Sequence, residues 1–89
     1  MRAVVTVTGK DKKGIIAKVS NFLAERDVNI EDISQTILGE YFAMIMLVDL
    51  DGLTVKFGEF VDCLKKLGEE SGLHIDTMHE DIFNSMHRI

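Results

Sequence analysis

Val4-Val5-Thr6-Val7-Thr8-Gly9-Lys10-Asp11-Lys12-Lys13-Gly14-Ile15-Ile16 is the stretch that decides how this chain folds. Its first half is apolar and β-branched, so residues 2–8 read as a strand that is apolar on both faces and therefore central in its sheet. A short Gly-bounded loop follows. Residues 14–27 then carry Ile15, Ile16, Val19, Phe22 and Leu23 at the spacing of one buried helical stripe, with Asp11 where an N-cap would fall. A strand that feeds a loop opening a helix directs free backbone N–H groups and the positive end of the helix dipole into that loop, where an anion or carboxylate can sit. Lys10, Lys12 and Lys13 add positive charge there, although the chain as a whole carries a net charge of −5.

Outward from that stretch the pattern continues in alternation. Residues 28–38 read as a second strand, and the three-residue step from Ile30 to Ile33 predicts a bulge near Glu31-Asp32. Gly39-Glu40 is a two-residue hairpin turn. Residues 41–50 form a third strand, apolar on both sides and again central. Phe57, Phe60, Val61, Leu64 and Leu67 share one face of a second helix over 55–67, which Gly68 or Gly72 can close. Residues 73–78 make a short last strand, and from about residue 81 Ile82, Phe83, Met86 and Ile89 recur at helical spacing.

The order is β-α-β-β-α-β with a short C-terminal helix, which is the split-βαβ, ferredoxin-like α+β sandwich. It predicts a single domain over residues 1–89, with an antiparallel sheet ordered 4-1-3-2 and both main helices on one face. Either Phe42, Met44, Met46 and Val48 or their alternates Tyr41, Ala43, Ile45 and Leu47 must then point away from the helices. An exposed apolar sheet face is a liability on a monomer. A homodimer is expected, with Phe83, Met86 and Ile89 helping to cover that face.

Composition narrows the classes of function. A chain of 89 residues buries only about 60–65% of its unfolded surface, yet 46% of its residues are hydrophobic. That surplus fits a subunit interface. The acidic balance argues against nucleic acid, whose binders carry basic patches. Tyr41 and Phe42 are adjacent, so they cannot both stack bases on one sheet face. The single cysteine, Cys63, fits a reducing compartment, and a cytoplasmic location is expected. No apolar leader precedes the first strand, so no signal peptide is expected, and no apolar run is long enough to span a membrane.

Chemistry-bearing constellations are few. Gly9 to Gly14 has the outer glycines of a phosphate loop, but Ile15-Ile16 stand where that motif needs Lys and Ser/Thr, which removes nucleotide hydrolysis. His74, His79 and His87 lack i, i+4 spacing and read as surface histidines, so no metal site is expected. Cys63 is flanked by Asp62 and has no partner cysteine, which disfavours nucleophilic and metallochaperone roles. Glu31-Asp32, Asp49-Asp51 and Glu69-Glu70 fall in no recognisable pocket, so acid/base catalysis has no support. What remains is ligand binding. The amides of Gly14 and Ile15, with Lys12 and Lys13 beside them, would hold a carboxylate. Asp11 would act as a polar clamp, and Asn29 would supply both a donor and an acceptor.

The run Val7-x-Gly9-x-Asp11-Lys12-x-Gly14-Ile15-Ile16, followed by Val19-Ser20, Leu23-Ala24 and Val28-Asn29-Ile30, resembles the ACT domain, a small-molecule-sensing module of ferredoxin-like fold. Through Asp32-Ile33-Ser34-Gln35-Thr36, Tyr41-Phe42-x-Met44 and the closing Asp81-Ile82-Phe83-x-x-Met86-His87-Arg88-Ile89 it is similar to the free-standing single-ACT, UPF0237-like proteins of bacteria and archaea. The resemblance implies a dimer whose sheets join edge to edge or face to face. It also implies an amino acid bound at the interface, with contacts at Asp11, Gly14, Ile15, Asn29 and Ile30. Many ACT loops carry proline before the glycine; Lys13 takes that position here and makes the loop more mobile and more cationic.

The expectation is therefore a dimeric sensor or regulatory domain for an amino acid or related carboxylate, without catalysis and without a cofactor. The alternative is an interaction module that regulates a partner enzyme with no ligand of its own.

Overall fold

β1 (Arg2–Gly9) lies inside a four-stranded antiparallel sheet, paired with β3 (Tyr41–Asp49) on one side and β4 (His74–His79) on the other. β2 (Asn29–Leu38) pairs with β3 alone and forms an edge, so the strand order is β2-β3-β1-β4, the expected 4-1-3-2 read from the other side. α1 (Ile15–Glu25) and α2 (Phe57–Ser71) make the two crossovers, and α3 (Glu80–Met86) follows β4 directly. The computed structural model describes residues 1–10 and 13–86.

Strand pairing sorts the side chains by face. Val5 stands opposite Met46 and Thr77, and Val7 opposite Met44 and Ile75. Directly opposed residues share a face, and Val5, Val7, Met44, Met46 and Ile75 join Val19, Leu23, Phe60 and Leu64 in one buried cluster. Phe42, Met44, Met46 and Val48 therefore face the helices. Tyr41, Ala43, Ile45 and Leu47 face away, which resolves the choice that an all-apolar third strand leaves open.

The bulge falls where the Ile30–Ile33 spacing predicts it, with the register of β2 against β3 slipping between Ile30 and Asp32. Gly39, at φ 61°, opens the two-residue turn between Leu38 and Tyr41. On α1, Ile15, Val19 and Leu23 are buried, but Ile16, expected in the same stripe, is 46% exposed. Two consecutive residues point about 100° apart on a helix, and here the sheet covers only the first.

α2 runs to Ser71 and closes at Gly72 in the left-handed conformation, with Leu73 N donating to Gly68 O at 2.7 Å. Gly68 lies inside that helix, against β4. A Cβ there would stand 2.9 Å from Ile75 Cγ1 and 3.0 Å from Leu73 O, so the close approach of α2 to β4 requires glycine.

α3 packs on β1 and β4. Val4, whose parity points away from α1 and α2, is buried at 6% exposure on that side of the sheet. Arg2 ties the start of α3 down, its Nη2 lying 2.6 Å from Glu80 Oε2 and its Nη1 3.4 Å from Glu31 Oε2 at the bulge. The hydrogen bond to Glu80, and then that to Glu31, raise the Arg2 guanidinium above its ordinary pKa. The cover is shorter than the sequence suggests. Met86 is exposed, Ile89 lies outside the described residues, and Ile45 and Tyr41 on the same sheet face remain open.

Candidate functional site

β1 delivers the chain to the loop at one end of the sheet. Lys10 stands there with its ammonium 5.5 Å from the centre of the Tyr41 ring and 3.9 Å from Glu40 Oε1. Asp11 and Lys12, both expected at the site, lie outside the described residues. Lys13 and Gly14 form the turn into α1.

The helix begins differently from the expected pattern. Its cap position is taken by Gly14, at φ 74° and without any side-chain hydrogen bond, rather than by Asp11. The first turn of α1 also holds no acidic side chain. A helix start capped by a side chain has one of its free N–H groups satisfied, and the glycine at this cap has no side chain to do so. A left-handed glycine ends the loop and turns the chain directly into α1, which is why the cap falls three residues later. Among the described residues, its chain neighbours aside, nothing lies within 4 Å of where a Gly14 Cβ would be. The Ile15 side chain is buried in the core, which leaves its backbone amide as the group it can offer.

Asn29 and Ile30 stand elsewhere. Asn29 pairs with Asp49, and Asp49 with Arg2; Gly9, at the loop end, pairs with Phe42, and Phe42 with Ile37. Asn29 is thus at the far end of the sheet from the loop, about 23 Å away at 3.3 Å per strand residue. It is exposed, while Ile30 is half-buried against the core. Within one chain, the structure brings together Lys13, Gly14 and Ile15, and it brings together Asn29 and Ile30, but it does not join the two groups.

Between them runs the free edge of β2, where every residue except Ile30 is exposed. Ile33 and Ile37 oppose Met46 and Phe42 and so lie on the helix side of the sheet. With Ile16, Leu38, Tyr41 and Ile45 they account for most of the large apolar side chains that the described residues leave exposed. A long, unpaired, apolar edge strand is a template for pairing with another chain.

One feature was not legible in the sequence. A groove of about 950 Å³ opens at the loop end of the sheet, between Thr8, Thr36, Leu38, Tyr41 and Ala43 of the face away from the helices and the end of α2 at Ser71 and Gly72. Gly9 and Lys10 line it, but Gly14, Ile15, Asn29 and Ile30 do not. Its outline depends on which face of β3 is covered, and the sequence leaves that undecided.

Two histidines are engaged by neighbours on or next to β4. His74 Nε2 lies 2.8 Å from Asp76 Oδ2, and Asp81 N donates to His79 Nδ1 at 3.1 Å. Among the described residues no group of His, Cys, Asp and Glu could hold a metal ion, and His87 lies outside them. Cys63 is half-buried on α2. No helix among the described residues is long and apolar enough to cross a membrane.

The sequence matches the ACT domain family over residues 2–78. The UPF0237 protein of Methanopyrus kandleri is 52% identical over 88 residues, covering 99% of this chain and 98% of the relative. An ACT domain protein from Streptococcus pneumoniae superimposes with a TM-score of 0.83 at 41% identity, over 93% of both chains. The ligand-free regulatory subunit of aspartate kinase from Thermus thermophilus superimposes with a TM-score of 0.65 at 28% identity, over 85% of this chain and 49% of that one.

Proposed function

Because this chain belongs to the ACT domain family, a family of regulatory rather than catalytic domains, we propose that it is a dimeric sensor whose pocket is shared between two chains. The ligand is an amino acid or a related small carboxylate. Its carboxylate rests on the uncapped amides of Gly14 and Ile15, with Lys12 and Lys13 adding positive charge and Asp11 closing the loop. Asn29 and Ile30 come from the second chain, Asn29 addressing the ligand's amino group.

The observation that carries this reading is the placement of Asn29 at the opposite end of the sheet from the loop, with an unpaired β2 edge between them. Antiparallel pairing of β2 with a second β2 reverses the partner strand. The start of the partner's strand then lies against the end of this one, on the loop side. The same pairing shelters Ile33, Ile37 and Ile16, whose exposure has no purpose in a lone monomer. A self-complementary edge of this kind gives a closed two-fold dimer.

Titration calorimetry of the protein against the twenty amino acids tests the proposal. Saturable binding of at least one, at a stoichiometry of one per chain, supports it. Absence of heat with all twenty, or binding that survives Asn29→Ala undiminished, contradicts it.

A further inference from the structure

The groove at the loop end of the sheet borders the β2 edge through Thr36 and Leu38 but takes in neither Gly14 nor Ile15, and its shape and chemistry are specific. Ala43 and Thr8 form a shallow floor of small side chains. Leu38 and Tyr41 line one side, and at the other Leu73, half-buried against the core, follows the end of α2. The volume, about 950 Å³, is at the upper end of what small-molecule sites use, and such sites pair a mostly apolar lining with a few placed polar groups.

Among the described residues that line the groove, Lys10 carries the one fixed positive charge. It is held over the Tyr41 ring at 5.5 Å, so it stands at the wall rather than swinging free in solvent. Its anionic partner, Glu40 at 3.9 Å, lies outside the lining, and both side chains are 67% exposed. An exposed pair of that length contributes little, so another carboxylate can take the place of Glu40 at small cost. A single fixed cation at the wall of a mostly apolar trough, whose other polar lining groups are Thr8, Thr36, Ser71 and His74, complements a molecule with one anionic end and an apolar body.

We infer that this groove binds a soluble monocarboxylate with an extended apolar body, its carboxylate paired with Lys10 and its hydrocarbon laid over Ala43 towards Leu73. The hydrocarbon contributes through burial against Leu38, Tyr41 and Leu73, and the Lys10 ammonium selects the charged end. Amino acids with small side chains lack that body, so the two sites take different ligands.

Calorimetry with decanoate, decanol and decyltrimethylammonium tests the inference on the intact protein. Decanoate is expected to bind at least about tenfold more tightly than either of the others, a difference of ~1.4 kcal/mol. Lys10→Ala abolishes that preference. Leu38→Ser, at a side chain too exposed to affect folding (77%), weakens decanoate several-fold, and Ala43→Leu fills the floor and removes binding. The inference is overturned if decanoate does not bind, if decanol binds as well as decanoate, or if Leu38→Ser and Ala43→Leu both leave binding intact.

Discussion

Asn29 and Gly14 sit at opposite ends of one protomer's sheet: Asn29 aligns with Asp49 and Arg2, whereas Gly14 follows the Gly9 end of β1. Two residues a sheet length apart in one chain can meet a single small ligand only across two chains. The account of function depends on that relationship, and so do the predictions about association.

Ile37→Lys tests the edge. Ile37 is 55% exposed, so the change costs the isolated fold little, but two-fold pairing of β2 buries the new charge in the seam against the apolar start of the partner's strand. Light scattering at micromolar concentration is expected to give a dimer for the native chain and a monomer for the variant. The variant is expected to lose amino-acid binding as well. A native monomer contradicts the proposal.

Gly14→Ala tests the loop. Among the described residues, its chain neighbours aside, no atom lies within 4 Å of the added methyl, so the expected effect is through the backbone at φ 74°. A non-glycine residue in the left-handed region costs about 1–2 kcal/mol. For a domain of this size that lowers Tm by about 4–8 °C per kcal/mol. Gly14→Asn, which tolerates that region better, should lose less.

Gly68→Ala tests packing. Alanine is the better helix former by about 1 kcal/mol, so a solvent-facing glycine would stabilise on replacement. Here the methyl would meet Ile75 Cγ1 at 2.9 Å and Leu73 O at 3.0 Å. Overpacking costs about 1–3 kcal/mol, and thermal melting is expected to show net destabilisation. A raised Tm would mean that α2 shifts freely over β4.

Arg2→Ala tests how α3 is held. The guanidinium joins Glu80 at the start of α3 to Glu31 in the β2 bulge, so its loss frees the helix end without disturbing the buried core. Hydrogen exchange is expected to quicken in α3 while the amides of β1 and β3 keep their protection. Arg2→Lys should rescue only partly, because one ammonium does not reproduce the fork that reaches both carboxylates.

Much of the fold was legible because local signals agreed with one another. The Ile30–Ile33 spacing located the bulge, Gly39-Glu40 located the hairpin turn, and the apolar residues 2–8 and 41–50 identified the two central strands. The covered face of β3 was not legible, since both of its alternating sets are apolar and only pairing with Val5 and Val7 selects between them. The helix cap was misplaced because Asp11 and Gly14 are both good starts for a helix, and only the backbone conformation distinguishes them. Ile16 reads as core because it is apolar; its exposure follows from the position of the sheet edge. For the candidate site, the sequence proposes Lys13, Gly14, Ile15, Asn29 and Ile30, but their division between the two ends of the sheet is visible only in the strand register.

The most direct test is a mixing experiment with Lys13→Glu and Asn29→Ala, using the amino acid that gives the largest heat in the calorimetric panel. Each variant alone is expected to bind at least tenfold more weakly, the first by repelling the carboxylate and the second by removing the groups that address the amine. When the two are unfolded together and refolded at equal concentration, about half of the dimers pair one variant with the other, and each such dimer holds one site with a native loop and a native Asn29. The account predicts that about a quarter of the native sites return at native affinity. A mixture that binds no better than its parents would contradict it.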